Sequence, residues 1–223
     1  MKTLVAATSL AGLISLTAVA PARADIITFT SFGEFQSFTT DILENVLAET
    51  SNTGTVVQGT TNQTDSLVNV SSSTSLSLAD ANGQARVTAQ SGGTFSDFLI
   101  SLPNLETFTS LAFNMQNLQG STGTVTLTTR EINNQLTQTL YTIGSGSNFF
   151  GVVAINGQQI VSVGDLLPGG VQFEALQQIR IGGIGDEGDI AAVPEPASMI
   201  LLGSGLLGLA ARARRRSKTS DQL

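Results

Sequence analysis

The sequence predicts a mainly β fold, a β-sandwich or jelly roll of about ten short strands, for the middle of this chain. Three observations predict it: short runs alternate apolar and polar residues, turn signals separate those runs, and Thr, Ser, Asn, Gln and Gly dominate between them. A chain of 223 residues has room for one such domain and for terminal segments. We expect the domain to span residues 25–190.

The predicted strands follow from the apolar pattern. Alternating runs occur at 111–115, 125–127, 140–143, 160–163 and 179–181. Residues 149–154 (FFGVVA) form an unbroken run, which predicts a strand buried on both faces. Turn signals include Asn82-Gly83 and Asn156-Gly157. The second of these separates two apolar stretches and therefore predicts a tight hairpin.

One short helix is predicted near the start of the domain. Six apolar residues recur there at three- and four-residue steps, the spacing of a helix face: Phe35, Phe38, Ile42, Leu43, Val46 and Leu47. The start Thr39-Thr40-Asp41 would cap a shorter helix that runs to about Ala48. An extended conformation of the same segment stays open as the alternative.

The charge of the middle region limits its partners. Between residues 25 and 193 the chain carries fifteen carboxylates and three arginines, a net charge of −12. Such a surface repels phosphate backbones, so we expect no nucleic-acid partner. We expect the three arginines, Arg86, Arg130 and Arg180, to pair with neighbouring carboxylates.

The chain contains no cysteine and no histidine. The absence of cysteine excludes disulfides and thiol chemistry, and the absence of histidine removes the commonest general base and metal ligand. Residues 203–208 (GSGLLG) match the letters of a dinucleotide-binding loop but lack the preceding strand that such a loop needs. We therefore expect no cofactor and no enzyme, and a hydrolase that uses paired carboxylates is the remote alternative.

The N-terminus predicts a removable signal peptide over residues 1–24. Lys2 supplies the positive start, and an uncharged apolar run extends from 4 to 20. Ala22 and Ala24 place small residues where signal peptidase requires them, so cleavage is expected between Ala24 and Asp25. The alternative is an uncleaved N-terminal anchor.

The C-terminus, residues 191–223, has three parts. Val193-Pro194-Glu195-Pro196 comes first, an apolar span follows at 197–211, and the basic tail 212–223 begins with Arg212, Arg214, Arg215 and Arg216. The span predicts a transmembrane helix of about 22 Å, shorter than the roughly 30 Å hydrocarbon layer. The arginines are expected to stay cytoplasmic, which places the domain outside.

This tail resembles the PEP-CTERM sorting signal in the identity and order of its three parts. The resemblance implies a Gram-negative bacterium that makes exopolysaccharide, and an exosortase that cleaves near the Pro-Glu-Pro. It also implies that Pro194, Glu195 and Pro196 are recognised by that enzyme and are not catalytic. The two prolines keep the segment extended and accessible. A plain type I anchor, with prolines that cap its helix, is the alternative.

The middle region resembles an uncharacterised β-rich ectodomain of other PEP-CTERM proteins. The resemblance is carried by residues 56–65, 83–87, 148–152 and 177–184. It implies the fold and export of the domain but no activity.

One acidic cluster is a candidate metal site. Asp186, Glu187 and Asp189 lie on a glycine-containing segment, and carboxylate oxygens are ligands for Ca²⁺. Their spacing is not that of an EF-hand or of an RTX repeat, and a solvated linker to the sorting motif is the favoured interpretation.

These observations predict a precursor in the inner membrane with a periplasmic ectodomain, processed by signal peptidase and exosortase. The mature form is expected at the cell surface or in the extracellular matrix, as a non-enzymatic protein associated with exopolysaccharide. A carbohydrate- or calcium-binding module is the alternative function.

Overall fold

A computed structural model of the chain describes residues 26–118, 122–166 and 171–185. All of these residues belong to one unit of the chain, Ala24–Ala191. They form twelve β-strands, one α-helix and one 3-10 helix, so the mainly β prediction is confirmed. The predicted signal helix and C-terminal membrane helix lie outside the described residues.

The elements are numbered in chain order. The helix α1 is Phe32–Phe38, and the 3-10 helix is Pro103–Leu105. The strands are β1 (Ile26–Phe29), β2 (Glu44–Leu47), β3 (Asn52–Thr61), β4 (Leu67–Asp80), β5 (Ala85–Ala89), β6 (Phe98–Ser101), β7 (Ser110–Asn117), β8 (Gly123–Glu131), β9 (Leu136–Ile143), β10 (Gly146–Ala154), β11 (Ile160–Asp165) and β12 (Phe173–Gly182). Every apolar run named above falls within one of these strands.

The strands form one antiparallel sheet that folds over on itself. Their order is β1-β10-β7-β12-β2-β3-β4-β6-β11-β8-β9, and β5 lies off this path between β12 and β4. The long strand β4 belongs to both halves of the sheet. Its residues 69–71 pair with β6, whereas its residues 76–80 pair with β5. The predicted sandwich is therefore built from the two halves of a single sheet.

Aromatic side chains join the two halves across the core. The ring of Phe98, on β6, lies 5.5 Å from the ring of Phe113 on β7 and 5.6 Å from that of Phe173 on β12. All three rings are fully buried. Burial of such large apolar surfaces is the main stabilising term of the fold.

Strand β10 is buried on both faces, as the run at 149–154 predicts. Phe150 and Val152 face the main core. Val153 and Phe149 face the other way, into a second cluster that includes Phe35 of α1. The helix therefore covers the outer face of β10.

The prediction of one short helix near the start of the domain is confirmed, but its position at 39–48 is wrong. The helix lies earlier, at Phe32–Phe38, and Glu44–Leu47 forms strand β2 instead. This strand fills a place in the sheet between β12 and β3, where its backbone pairs with residues such as Arg180 and Thr61. These long-range hydrogen bonds override the local apolar spacing.

The predicted hairpin at Asn156-Gly157 is also wrong, although the turn itself is present. Both residues have positive φ, 58° and 78°. The turn joins β10 to β11, but β10 pairs with β1 and β7 whereas β11 pairs with β6 and β8. The chain thus crosses here from one half of the sheet to the other, because both flanking strands are needed to cover the core.

Candidate functional site

The residues that the sequence nominated for sorting, processing and metal binding lie outside the described part of the chain. They are Ala22, Ala24, Asp25, Asp186, Glu187, Asp189, Val193, Pro194, Glu195, Pro196, Arg212, Arg214, Arg215 and Arg216. Among the residues that the structure describes, no helix is long and apolar enough to cross a membrane.

The carboxylate side chains of the described residues do not form a candidate metal site. No group of three or more Asp and Glu side chains in 26–118, 122–166 and 171–185 is placed to hold a metal ion. Two buried carboxylates, Glu44 and Glu131, accept hydrogen bonds from neighbouring loops and strands.

Glu44, at the start of β2, organises the turn between β3 and β4. One of its carboxylate oxygens accepts hydrogen bonds from the backbone N–H groups of Gln63 (3.1 Å) and Thr64 (2.8 Å) and from the Thr64 hydroxyl (3.0 Å). Burial by itself raises the pKa of Glu44, but the hydrogen bonds from Thr64, Thr61 and Gln63 outweigh it and lower the pKa below its usual value. Glu44 therefore stays ionised and holds this turn.

Glu131, at the end of β8, is almost fully buried. It accepts hydrogen bonds from the Thr137 hydroxyl at 2.9 Å and from the side-chain amide of Gln158. The carboxylate thus joins the β8–β9 hairpin to the segment before β11. Its oxygens are engaged in structural contacts.

Two of the three arginines contact side-chain amides, which differs from the carboxylate pairs that we expected. Arg86 donates to the Gln116 side chain at 3.0 Å, and Gln116 in turn donates to Glu174 at 3.2 Å. Arg180 donates through Nε to Asn45 at 3.1 Å, and its guanidinium lies 4.8 Å from the centre of the Phe32 ring. Among the described residues, these two arginines form amide hydrogen bonds and a cation–π contact.

A first surface groove, of about 460 Å³, runs along the outer side of β3 and β4. Its lining is mostly polar and contains one carboxylate: Glu49, Thr50, Asn52, Val56, Gln58, Thr60 and Leu67. The Asn52 side chain accepts from the Gln58 N–H at 3.1 Å and donates to the Gln58 carbonyl at 2.9 Å. It thereby satisfies backbone groups at the edge of β3, as a neighbouring strand would.

A second groove, of about 440 Å³, separates β1 from β9, the two ends of the strand order. It is lined by hydroxyl groups, apolar side chains and one carboxylate: Thr28, Phe29, Thr30, Glu34, Thr139, Leu140, Tyr141 and Thr142. The Tyr141 hydroxyl donates to the Phe29 carbonyl at 2.6 Å and links the two strands. Sequence reasoning missed this site, because only the fold brings residues 28–30 next to residues 139–142.

Hydroxyl groups in both grooves, and side-chain amides in the first, can hydrogen-bond to polar ligands or to an extended peptide backbone. Neither groove combines a nucleophile with a histidine base, since the chain has no histidine. The described residues therefore form a β-rich domain with polar surface grooves. The predicted terminal signals lie outside these residues.

Comparison with known proteins identifies the tail. The family model of the PEP-CTERM protein-sorting motif matches residues 192–216. No curated protein matches the chain. A solved structure, the enzymatically active domain of bacteriophage CBA120 tailspike protein 4, aligns at 13% identity and a TM-score of 0.23. The alignment covers 74% of this chain and 20% of that one, and a likeness this weak transfers neither fold nor activity.

The class of protein is therefore an exported β-rich protein that is targeted to exosortase. The resemblance of the tail to the PEP-CTERM sorting signal is confirmed by the match of this family model to residues 192–216. The motif implies a membrane-anchored precursor that is sorted to the cell envelope.

Proposed function

We propose that this protein is a non-enzymatic component of the cell surface or extracellular matrix, associated with exopolysaccharide. The single observation that carries the proposal is the sorting motif at 192–216, which commits the chain to exosortase processing. In this proposal, sorting delivers the acidic, hydroxyl-rich domain to the cell surface or the matrix.

The composition and contacts of the domain support a role without catalysis. The chain lacks histidine and cysteine. The buried carboxylates Glu44 and Glu131 hold loops and strands together, and their oxygens accept hydrogen bonds from within the fold. A protein that works by being placed in a matrix needs a polar surface, and both surface grooves of the domain are lined mostly by polar residues.

In the proposed route, signal peptidase cleaves after Ala24 and the tail holds the precursor briefly in the inner membrane with its ectodomain in the periplasm. Exosortase then cleaves near Pro194-Glu195-Pro196 and releases the mature domain to the surface or the matrix. The short apolar span at 197–211 suits a transient anchor, because arginines must extend to the headgroups to compensate for its length.

Processing is tested by expressing the full chain in cells with and without exosortase. We expect a shortened product only where exosortase is present, and accumulation of the precursor in membranes where it is absent. Glu195→Ala should block shortening, whereas Glu187→Ala, which lies outside the matched motif, should not. Equal processing in both strains would refute the route.

Matrix association is tested separately by fractionation. We expect the mature protein to sediment with exopolysaccharide and to become soluble in a strain that cannot make the polymer. An unchanged distribution between the two strains would exclude the association while leaving the sorting route intact. Turnover of glycosidic or ester substrates by the purified protein would contradict its non-enzymatic role.

A further inference from the structure

Strand β9 has an edge that lacks the usual protection. It pairs with β8 along one side, and no other strand in the described part of the chain pairs with it. Its sequence, LTQTLYTI, contains no charge and no proline. Natural proteins normally interrupt exposed strand edges with charged residues, proline or bulges, because an unprotected edge pairs with another strand.

The backbone groups on this edge can be assigned. The turn between β8 and β9 has hydrogen bonds from Glu131 N–H to the Gln135 carbonyl (3.0 Å) and from Asn134 N–H to the Glu131 carbonyl (2.9 Å). Hydrogen bonding alternates along an antiparallel pair, so the odd-numbered residues of β9 bond to β8. The N–H and C=O groups of Leu136, Gln138 and Leu140 therefore point away from β8, toward the free edge.

The side chains of these same residues lie on the outer face. Leu136 is 60% exposed and Leu140 is 75% exposed, although leucine is normally buried. Gln138 lies between them and is also exposed. The two leucines thus form a small unpartnered apolar pair beside an unpaired backbone edge.

The segment 136–140 reads the same in both directions, LTQTL. If two copies of this strand pair antiparallel with Gln138 on the axis, Gln138 faces Gln138, Thr137 faces Thr139, and each Leu136 faces a Leu140. A two-fold interface requires a surface that is complementary to itself, and this strand meets that condition in sequence, exposure and backbone direction.

The second groove provides space beside the edge. It is lined by residues 139–142 of β9 on one side and by residues 28–30 on the other, and the Tyr141–Phe29 hydrogen bond crosses it. A strand that approaches β9 there finds about 440 Å³ of free volume. The end of the approaching strand can enter this groove without displacing any described strand that pairs with β9.

We propose that the protein self-associates through β9, which pairs antiparallel with β9 of a second copy in the register that places Gln138 on the two-fold axis. The occupant of this edge is another copy of the chain. The inference goes beyond the proposed function, since it requires neither exopolysaccharide nor exosortase. One strand pair covers far less than the roughly 1,200 Å² of a stable interface, so the dimer is weak and forms at high local concentration.

Cysteine cross-linking tests the register, and the natural chain has no cysteine to interfere. Gln138→Cys places the two introduced thiols on facing residues with Cα atoms about 5.5 Å apart, within disulfide range. In the full chain, purified in detergent and mildly oxidised, we expect this variant to form a covalent dimer at least about tenfold faster than Thr142→Cys. The latter is an exposed site on the same strand whose copies would lie about 27 Å apart.

Mixing two cysteine variants provides a second test of the register. Leu136→Cys and Leu140→Cys should each cross-link poorly alone, because like residues lie about 14 Å apart in this register. A mixture of the two should cross-link well. Equal cross-linking of Gln138→Cys and Thr142→Cys, or no gain on mixing, would overturn the proposal.

A charge on the edge tests the association without a covalent bond. Leu140→Lys should abolish the concentration-dependent increase in mass that sedimentation detects for the natural chain, with no change in circular dichroism. Thr124→Lys, on the neighbouring strand β8, should leave the increase unaltered. Self-pairing would be refuted if the natural chain stayed monomeric at every concentration. It would also be refuted if β9 bound a different protein in place of a second copy.

Discussion

The hydroxyl group of Tyr141, on β9, donates a 2.6 Å hydrogen bond to the backbone carbonyl of Phe29, on β1. These strands are the two ends of the strand order, so one side chain closes a sheet that has no backbone pairing at this position. The Tyr141 ring also packs edge-on against Phe150, 5.0 Å between centroids, which anchors the hydroxyl from the core side. The bond therefore links closure of the sheet to packing of the core.

Tyr141→Phe removes this hydrogen bond and keeps the ring. The Phe29 carbonyl loses this donor, so we expect the free energy of unfolding to fall by about 0.5–1.5 kcal/mol. Chemical denaturation measures the change. Thr142→Ala, at the exposed neighbouring position, should change stability by less than about 0.5 kcal/mol. If Tyr141→Phe left the free energy of unfolding unchanged, the sheet would close without this hydrogen bond.

The titration of Tyr141 should also be visible directly. Burial raises its pKa from 10.0 to about 12. Because the folded pKa is above the unfolded one, the stabilising contribution is complete below about pH 10 and is lost as the pH rises through about 12. Tyr141 is the only tyrosine and there is no tryptophan, so the ultraviolet absorbance of the phenolate reports this residue alone. A midpoint near 10 in the folded protein would contradict the buried position.

Glu44→Gln should destabilise the turn between β3 and β4. The ionised carboxylate accepts two backbone hydrogen bonds and one from a hydroxyl, and an amide in its place is a weaker acceptor. We expect a loss of about 1–3 kcal/mol at neutral pH, measured by denaturation. The control is Glu49→Gln, an exposed carboxylate that should have little effect.

The same residue should produce an acid-sensitive component of stability. The folded pKa of Glu44 lies below its ordinary 4.5, so its contribution is present above about pH 4.5 and is lost as the pH falls through the lower folded value. Glu44→Gln should remove this component from the curve of stability against pH. Identical acid curves for the natural protein and the variant would show that Glu44 does not supply it.

Gly151→Val should separate α1 from the sheet. A Cβ atom at Gly151 would lie 2.6 Å from Cδ2 of Phe35, so the helix and β10 cannot keep their present contact. We expect a loss of about 1–3 kcal/mol and faster hydrogen exchange in Phe32–Phe38. Gly93→Ala is the control, because its nearest neighbour lies 3.6 Å away and the site is exposed. Unchanged exchange in α1 would show that the helix is held elsewhere.

Local patterns predicted much of the described fold correctly. The unbroken run at 149–154 is a strand buried on both faces, and each alternating run lies in a strand. Alternation succeeds because successive side chains of a strand point to opposite faces and only one face meets the core. The sorting tail was identifiable for a different reason: an enzyme reads it as a linear motif, so its letters and order are sufficient.

Local sequence patterns did not predict which distant segments pair with each other. The helical spacing around Val46 was overridden because β2 completes the sheet between β12 and β3. Asn156-Gly157 has the backbone of a tight turn, yet its flanking strands pair elsewhere, because each is needed in a different half of the sheet. A turn sequence specifies how the chain reverses, whereas burial of both strands decides what each one pairs with.

The sequence by itself determined that this chain is exported and sorted, that its domain is built of strands, and that it has no histidine or thiol chemistry. Only the tertiary structure decided that a single sheet folds over, that Tyr141 meets Phe29, and that β9 pairs with β8 alone among the described strands. The reason is physical. Periodicity, turns and linear signals depend on neighbouring residues, but closure of a sheet depends on contacts between residues more than a hundred positions apart, such as residues 29 and 141.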